Sequence, residues 1–173
     1  MTGSAMNIFV SYSPADNELV SAIVSQLCAS NGALVYRDAD AIRTSGRWRE
    51  ELGAAIAEAN VVLVFWCHHS NTSYEVRKEF AVALEQGKAV LPLLLDETPL
   101  PSKLADRRCI DFRSRVGLLH ERSPEATGQS ALAEQVEVDR VIASDLSRQY
   151  EDLLVLSLAR EIETELALRL GPN

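Results

Sequence analysis

Five short apolar runs, separated by longer polar or amphipathic segments, constrain this chain of 173 residues most strongly. The runs cover residues 8–11, 33–36, 61–66, 89–95 and 109–112. They are largely apolar, as expected of strands that are covered on both faces. Strands that alternate with helices form right-handed βαβ units and therefore a parallel sheet. The pattern predicts a flavodoxin-like α/β fold, a three-layer sandwich in which helices cover both faces of a central five-stranded parallel sheet.

Helix start signals lie between these runs. Ser13 stands before a proline, which is typical of a helix beginning. A second helix is predicted over residues 48–58, after a polar loop. Thr72 and Glu75 fit a capping box at the start of a helix over residues 72–85. Ligands of open parallel sheets bind beyond the carboxyl ends of the strands, so the residues that follow each strand are the place to look for a site.

The last third of the chain differs from the rest. We expect a domain core over residues 1–113, a polar loop and helical insertion over 114–150, and a C-terminal helix over 151–173. Residues 114–128 are predicted to be loop, and residues 130–170 to be helix almost throughout. An apolar stripe runs along this helix at Leu153, Leu154, Leu158, Ile162, Leu166 and Leu170.

The stripe has two interpretations. The favoured one is that it covers the open face of the sheet, which would bury Leu154, Leu158 and Ile162, because a bare sheet face exposes a large apolar area. The alternative is an exposed stripe that mediates self-association.

Charge and composition exclude several classes of protein. The net charge of −8 and the lack of a basic patch disfavour nucleic acid and anionic membranes as partners. No apolar stretch is long enough to span a bilayer, and the N-terminus lacks the features of a signal peptide, so a cytoplasmic location is expected. Cys28 and Cys67 are predicted to be reduced thiols in the core. No metal site is expected, because His68 and His69 are adjacent rather than spaced along an element.

Common nucleotide and nucleophile motifs do not occur in the chain. It has no P-loop sequence, no G-x-G-x-x-G fingerprint and no G-x-S-x-G elbow. Glu79 is the more informative residue. Val76, Phe80 and Ala83 share the core face of its helix, and Glu79 falls at the edge of that face. We therefore expect a carboxylate at the rim of a cleft, partly desolvated; the alternative is an ordinary solvated glutamate.

Five segments follow one another in a recognisable order. They are IFVSYS at 8–13, YRD at 36–38, SGRW at 45–48, SYEVRKE at 73–79 and VLPLLL at 90–95. Together they resemble the Toll/interleukin-1 receptor (TIR) domain family, in which an early acidic residue is usual at the position of Asp16. Each segment is weak by itself, but their order and spacing over residues 7–113 make chance unlikely to explain them. The segments resemble those of bacterial-type members that cleave NAD⁺.

The resemblance implies an enzyme that cleaves the nicotinamide–ribose bond of NAD⁺, releasing nicotinamide with ADP-ribose or a cyclic isomer, as an immune effector. It implies Glu79 as the catalytic carboxylate, with no metal and no cofactor besides NAD⁺ as substrate. Glu75 stands where enzymatic members often have tryptophan. The predicted substrate-binding residues are Tyr12, Ser13, Arg37, Asp38, Arg43, Trp48, Trp66, Ser73 and Tyr74.

Two further expectations concern partners. Enzymatic members often complete the site between subunits, so activity is expected to depend on self-association through TIR domains and on a separate sensor or effector protein. The competing class is a non-catalytic TIR adaptor that signals through homotypic TIR–TIR contacts. Such adaptors typically lack a glutamate at the position of Glu79, which favours the enzyme.

Overall fold

A five-stranded, all-parallel sheet organises the chain, as the sequence predicts. The computed structural model describes residues 6–31, 34–37, 48–121 and 133–171. The strands lie in the order β2-β1-β3-β4-β5. Their bounds are β1 Asn7–Ser11, β2 Leu34–Arg37, β3 Val61–Trp66, β4 Ala89–Leu94 and β5 Ile110–Asp111. The predicted flavodoxin-like fold is confirmed.

Seven helices are described within those ranges, together with a 3-10 turn at Pro14–Asp16 that Ser13 caps. No helix of the described residues is long and apolar enough to cross a membrane. The helices are α1 Asn17–Asn31, α2 Trp48–Glu58, α3 His68–Thr72, α4 Tyr74–Glu85, α5 Ser102–Ala105, α6 Arg113–Glu121 and α7 Ala133–Leu170.

The strand order reverses between β1 and β3. The connection from β1 leads through α1 to β2 on one side, whereas the connection from β3 leads through α4 to β4 on the other. Ser11 at the end of β1 is level with Val64 of β3. In open α/β sheets, the carboxyl edge at such a reversal forms a crevice between diverging connections. This edge is therefore the first place to look for a functional site.

Two apolar clusters fill the layers on either side of the sheet. One joins the face that carries Val10 and Leu63 to α1 and to the C-terminal part of α7. The other joins the face that carries Phe9 and Val62 to α2 and α4. In α7, Leu158, Ala159, Ile162 and Leu166 are buried in the first cluster. The end of this helix therefore covers the sheet face that α1 leaves open.

Three local predictions differ from the structure. Residues 113–121 form α6 rather than loop, since Val116 packs into the core and gives the segment a buried side. Leu154 is only partly buried, because the fully buried side of the helix begins one turn later, at Leu158, and Val155 is its neighbour that packs against the core. Cys28 is exposed rather than a core thiol, because its neighbour Leu27 takes the inward position at the end of α1.

Candidate active site

Glu79 of α4 and Ser11 of β1 meet at the carboxyl edge of the sheet, where the strand order reverses. The Ser11 hydroxyl donates a hydrogen bond to the Glu79 carboxylate at Oε2. Both residues are buried, with Ser11 at 0% and Glu79 at 1% exposure. The two residues are 68 positions apart in the sequence, so only the parallel packing of β1 beside β3 brings them together.

The burial of Glu79 corrects the prediction of a carboxylate at the rim of a cleft. At about 100° per residue, Glu79 points about 60° away from Val76 on the helix, still within reach of the core side. Because α4 contacts β1 as well as β3 and β4, the sheet covers this edge of the helix too. A buried carboxylate is costly unless it is hydrogen-bonded, and the Ser11 hydroxyl offsets part of that cost.

The start of α4 also differs in detail from the sequence prediction. Thr72 ends the short helix α3, and Ser73 caps α4 by accepting a hydrogen bond from the Val76 N–H at 3.3 Å. The Ser73 hydroxyl donates to Glu75 at 3.2 Å. The N-cap is therefore Ser73, one residue later than predicted, and the reciprocal bond of a capping box is missing because Val76 occupies its third helical position.

The two predicted substrate residues after β1 have structural contacts. The ring of Tyr12 is 8% exposed within the core, and its hydroxyl donates to Asn17 Oδ1 at 3.0 Å. The Ser13 hydroxyl accepts from the Ala15 N–H at 3.4 Å and so caps the 3-10 turn. No ring face of Tyr12 is open to a ligand in this conformation, and its predicted role in substrate binding stays a prediction.

Trp66 is enclosed as well, and its predicted role in substrate binding also stays a prediction. Its side chain is 0% exposed, packs edge-on against Phe80, and donates from Nε1 to the Pro99 carbonyl at 3.1 Å. Trp66 is the last residue of a strand that is buried on both sides, and its ring packs in the layer that contains α2 and α4. Tyr74 differs in this respect, because it is 66% exposed at the start of α4 and remains available for stacking.

The other predicted site residues stay predictions. Asp38 and Arg43 lie outside the described residues. Arg37 ends β2 beside Val10, and Trp48 begins α2; their side chains are not among those described.

A family model for the TIR domain matches residues 8–129, well over half of the chain. This protein belongs to the TIR domain family. No curated protein matches the sequence. Among solved structures, the TIR domain of the Toll-related receptor TRR-2 from Hydra magnipapillata is 17% identical with a TM-score of 0.55, over 66% of this chain and 91% of that one.

Two other solved structures are similar over most of their length. The TIR domains of the activated Roq1 resistosome, which recognises the pathogen effector XopQ, are 17% identical, with a TM-score of 0.49 over 90% of this chain and 84% of that one. A 2-desoxiribosyltransferase from Leishmania mexicana is 14% identical, with a TM-score of 0.48 over 69% of this chain and 99% of that one.

Sequence reasoning missed two polar groups at the carboxyl edge of this TIR domain. Ser11 was seen only as part of a strand, although a hydroxyl that ends an otherwise apolar strand is a usable signal. Asp96 follows β4, and its Oδ2 accepts from the His68 N–H at 2.9 Å. Burial by itself would raise the pKa of Asp96, but hydrogen bonds from Thr98 and His68 outweigh it and lower the pKa to about 2.

An open groove elsewhere on the domain is distinct from this site. It has a volume of about 540 Å³ and lies between the edge strand β2 and α2, lined by Leu34, Tyr36, Ala55 and Glu58 among others. Neither Ser11 nor Glu79 lines it. The groove therefore does not contain Glu79, the buried carboxylate of the candidate active site.

Proposed function

We propose that this TIR domain is an NAD⁺ glycohydrolase in which Glu79 is the catalytic carboxylate. The observation that carries the proposal is a buried glutamate, 1% exposed, at the sheet edge where the strand order reverses. Such edges are the usual ligand sites of open α/β sheets. TIR domains include NAD⁺-cleaving enzymes and non-catalytic adaptors, so membership of the family by itself leaves both open.

The chemistry suits one carboxylate. Nicotinamide leaves as a neutral group from a cationic ring, so no general acid is needed for its departure. The ribose gains positive charge as the bond breaks, and a nearby carboxylate stabilises that charge, most strongly where water is excluded. The Ser11 hydrogen bond holds one oxygen of Glu79 in place. In this proposal Tyr74, which is exposed, supplies an aromatic surface for a base of NAD⁺.

The burial of Glu79 also bears on regulation. A carboxylate that is 1% exposed cannot touch a ribose until neighbouring residues move. We therefore propose that the conformation described is a resting state and that self-association, with or without a separate sensor protein, opens the site. The proposal includes the cytoplasmic location and the immune role that the sequence led us to expect.

Chromatography of NAD⁺ incubated with concentrated protein tests this function. The wild type is expected to release one nicotinamide for each NAD⁺ consumed, and the second product identifies ADP-ribose or its cyclic isomer. Specific activity should rise with protein concentration if assembly opens the site. Glu79→Gln should lower the rate by at least about 100-fold, because the carboxylate is lost while the amide oxygen can still accept from Ser11.

The matched control is Glu85→Gln at the exposed end of the same helix. It removes an equal charge away from the carboxyl edge and should leave the rate unchanged. Circular dichroism should show folded protein for both variants. Turnover by Glu79→Gln within tenfold of the wild type would contradict the assignment of Glu79.

The adaptor is a second possible function, and one observation favours it. A glutamate bound to Ser11 inside the domain suits a purely structural role as well as a catalytic one. An adaptor would assemble through TIR–TIR contacts and leave NAD⁺ intact at every protein concentration. Sedimentation run beside the NAD⁺ assay separates the two functions.

A further inference from the structure

Three potential metal ligands meet beside the ends of β1 and β3. Asp16 closes the 3-10 turn after β1, Cys67 follows β3 directly, and His69 lies in α3. The Cys67 thiol donates to Asp16 Oδ2 at 2.9 Å, and His69 Nδ1 lies 3.3 Å from Asp16 Oδ1. The ligand atoms of the three residues all lie within 4.8 Å of one another.

The combination of donors is specific. A thiolate and an imidazole together favour zinc over magnesium or calcium, and a carboxylate is a third common zinc ligand. Ligand atoms around a tetrahedral zinc ion lie about 3–4 Å apart, given metal–ligand bonds of about 2.0–2.3 Å. The separations of 2.9 and 3.3 Å, and the limit of 4.8 Å on all three, lie close to that spacing.

We propose that Asp16, Cys67 and His69 bind a Zn²⁺ ion, with the fourth coordination position open. Three protein ligands and one open position are typical of zinc sites at which a water or another ligand also binds. The sequence did not predict this site, because Asp16 and Cys67 are 51 positions apart and only the pairing of β1 with β3 unites them.

The surroundings of Cys67 fit a metal-bound sulfur. The Ser70 N–H donates to Cys67 Sγ at 3.5 Å, and the Ser70 hydroxyl lies 3.6 Å from the same atom. Ser70 is itself buried and held by the Phe65 carbonyl, to which its hydroxyl donates at 2.7 Å. The Ser70 N–H is therefore the donor to the sulfur, and a backbone donor of this kind orients a ligand and stabilises its negative charge.

An ion can enter the site from solvent, and the thiol proton can leave. The His69 side chain is 42% exposed, so an ion can reach the site from solvent. Binding forms the sulfur–zinc bond and releases the thiol proton of Cys67 to solvent.

The neighbouring histidine serves as an internal control. His68 is adjacent to two of the proposed ligands, but its Nδ1 lies 2.8 Å from Asp96 Oδ2 and its backbone N–H binds the same oxygen. It is therefore held toward β4 rather than toward Asp16. Cys28, exposed on α1, is the matching control for the thiol.

The test uses reduced, chelator-treated protein, with Zn²⁺ titrated by calorimetry and Co²⁺ followed by absorption. The wild type should bind one ion, and Co²⁺ should show thiolate charge-transfer bands. Cys67→Ser should abolish those bands and weaken Zn²⁺ binding by at least about 100-fold, and Asp16→Asn should weaken it by at least about tenfold. Cys28→Ser and His68→Gln should bind as the wild type does.

Three outcomes would overturn the proposal. They are a wild type that binds no Zn²⁺, a Cys67→Ser variant that binds equally well, and binding that is lost with Cys28→Ser or His68→Gln instead. In each of these cases the three residues form only a hydrogen-bonded network that joins the loops after β1 and β3. The near-isosteric Asp16→Asn keeps the test valid if Cys67→Ser fails to fold. The result is independent of NAD⁺ cleavage, because no activity is measured.

Discussion

Replacing Leu158 by alanine measures directly how much α7 contributes to the stability of the domain. Leu158 is 0% exposed and packs in the cluster that joins α7 to α1 and the sheet. Truncation of a fully buried leucine loses the transfer free energy of the removed atoms and leaves a cavity, which together cost about 3–5 kcal/mol. For a domain of this size, we expect the melting temperature to fall by about 6–20 °C.

The same helix provides matched controls. Leu153 is 65% exposed, so Leu153→Ala should change stability by about 0.5 kcal/mol or less. Leu154 is partly buried, and the stability lost by Leu154→Ala should lie between the losses of Leu158→Ala and Leu153→Ala. All three changes remove the same atoms from one helix, so differences in helix propensity cancel and only the depth of burial differs.

The assay is urea unfolding followed by far-ultraviolet circular dichroism. The three variants should share the wild-type dependence on urea concentration, while their midpoints fall in the order of burial. If the unfolding free energies of Leu158→Ala and Leu153→Ala lie within about 1 kcal/mol of each other, the packing of α7 on the sheet is refuted. The apolar stripe would then be free for self-association, as the alternative interpretation of the sequence requires.

Three further predictions follow from other contacts. A chain that ends at Gln149 should aggregate or lose cooperative unfolding, because one sheet face becomes bare; a truncated monomer that melts sharply would contradict this. Ser11→Ala should cost about 1–3 kcal/mol in urea unfolding, since buried Glu79 loses a donor, whereas a similar loss in the exposed control Ser25→Ala would not fit. Asp96→Asn should cost about 1 kcal/mol at pH 7 after allowance for solvent screening. Because the folded pKa of Asp96 is lowered, this contribution is present above about pH 4, falls to about half at pH 3 and vanishes below pH 2; a difference independent of pH would refute it.

The architecture was predictable because each strand or helix has a characteristic hydrophobic pattern within its own segment of the sequence. The run at 61–66 is apolar at every position, which is what a strand covered on both faces requires, and the structure buries all six residues. Helical spacing likewise identified Val76, Phe80 and Ala83 as the inner side of α4. These features depend on neighbours in the sequence, so a periodic pattern is sufficient to find them.

The details of the site were less predictable, because they depend on which elements are neighbours in space. Helical periodicity placed Glu79 at the edge of an apolar face but could not show that β1 lies against that edge. The same reasoning left Trp66 and Tyr12 open as ligand-binding rings, although the sheet and helices enclose both. An aromatic side chain at the end of a strand has the same sequence pattern whether its ring is enclosed or open to a ligand.

The sequence by itself therefore determined the five strands, the main helices between them, the family, and Glu79 as the candidate carboxylate. The tertiary structure alone decided that Glu79 binds Ser11 inside the domain and that Asp16 lies against Cys67. The physical reason is that secondary structure follows from periodic burial along one segment, whereas both pairs depend on the lateral order of β1 and β3. That order results from the packing of the whole sheet, and no local pattern encodes it.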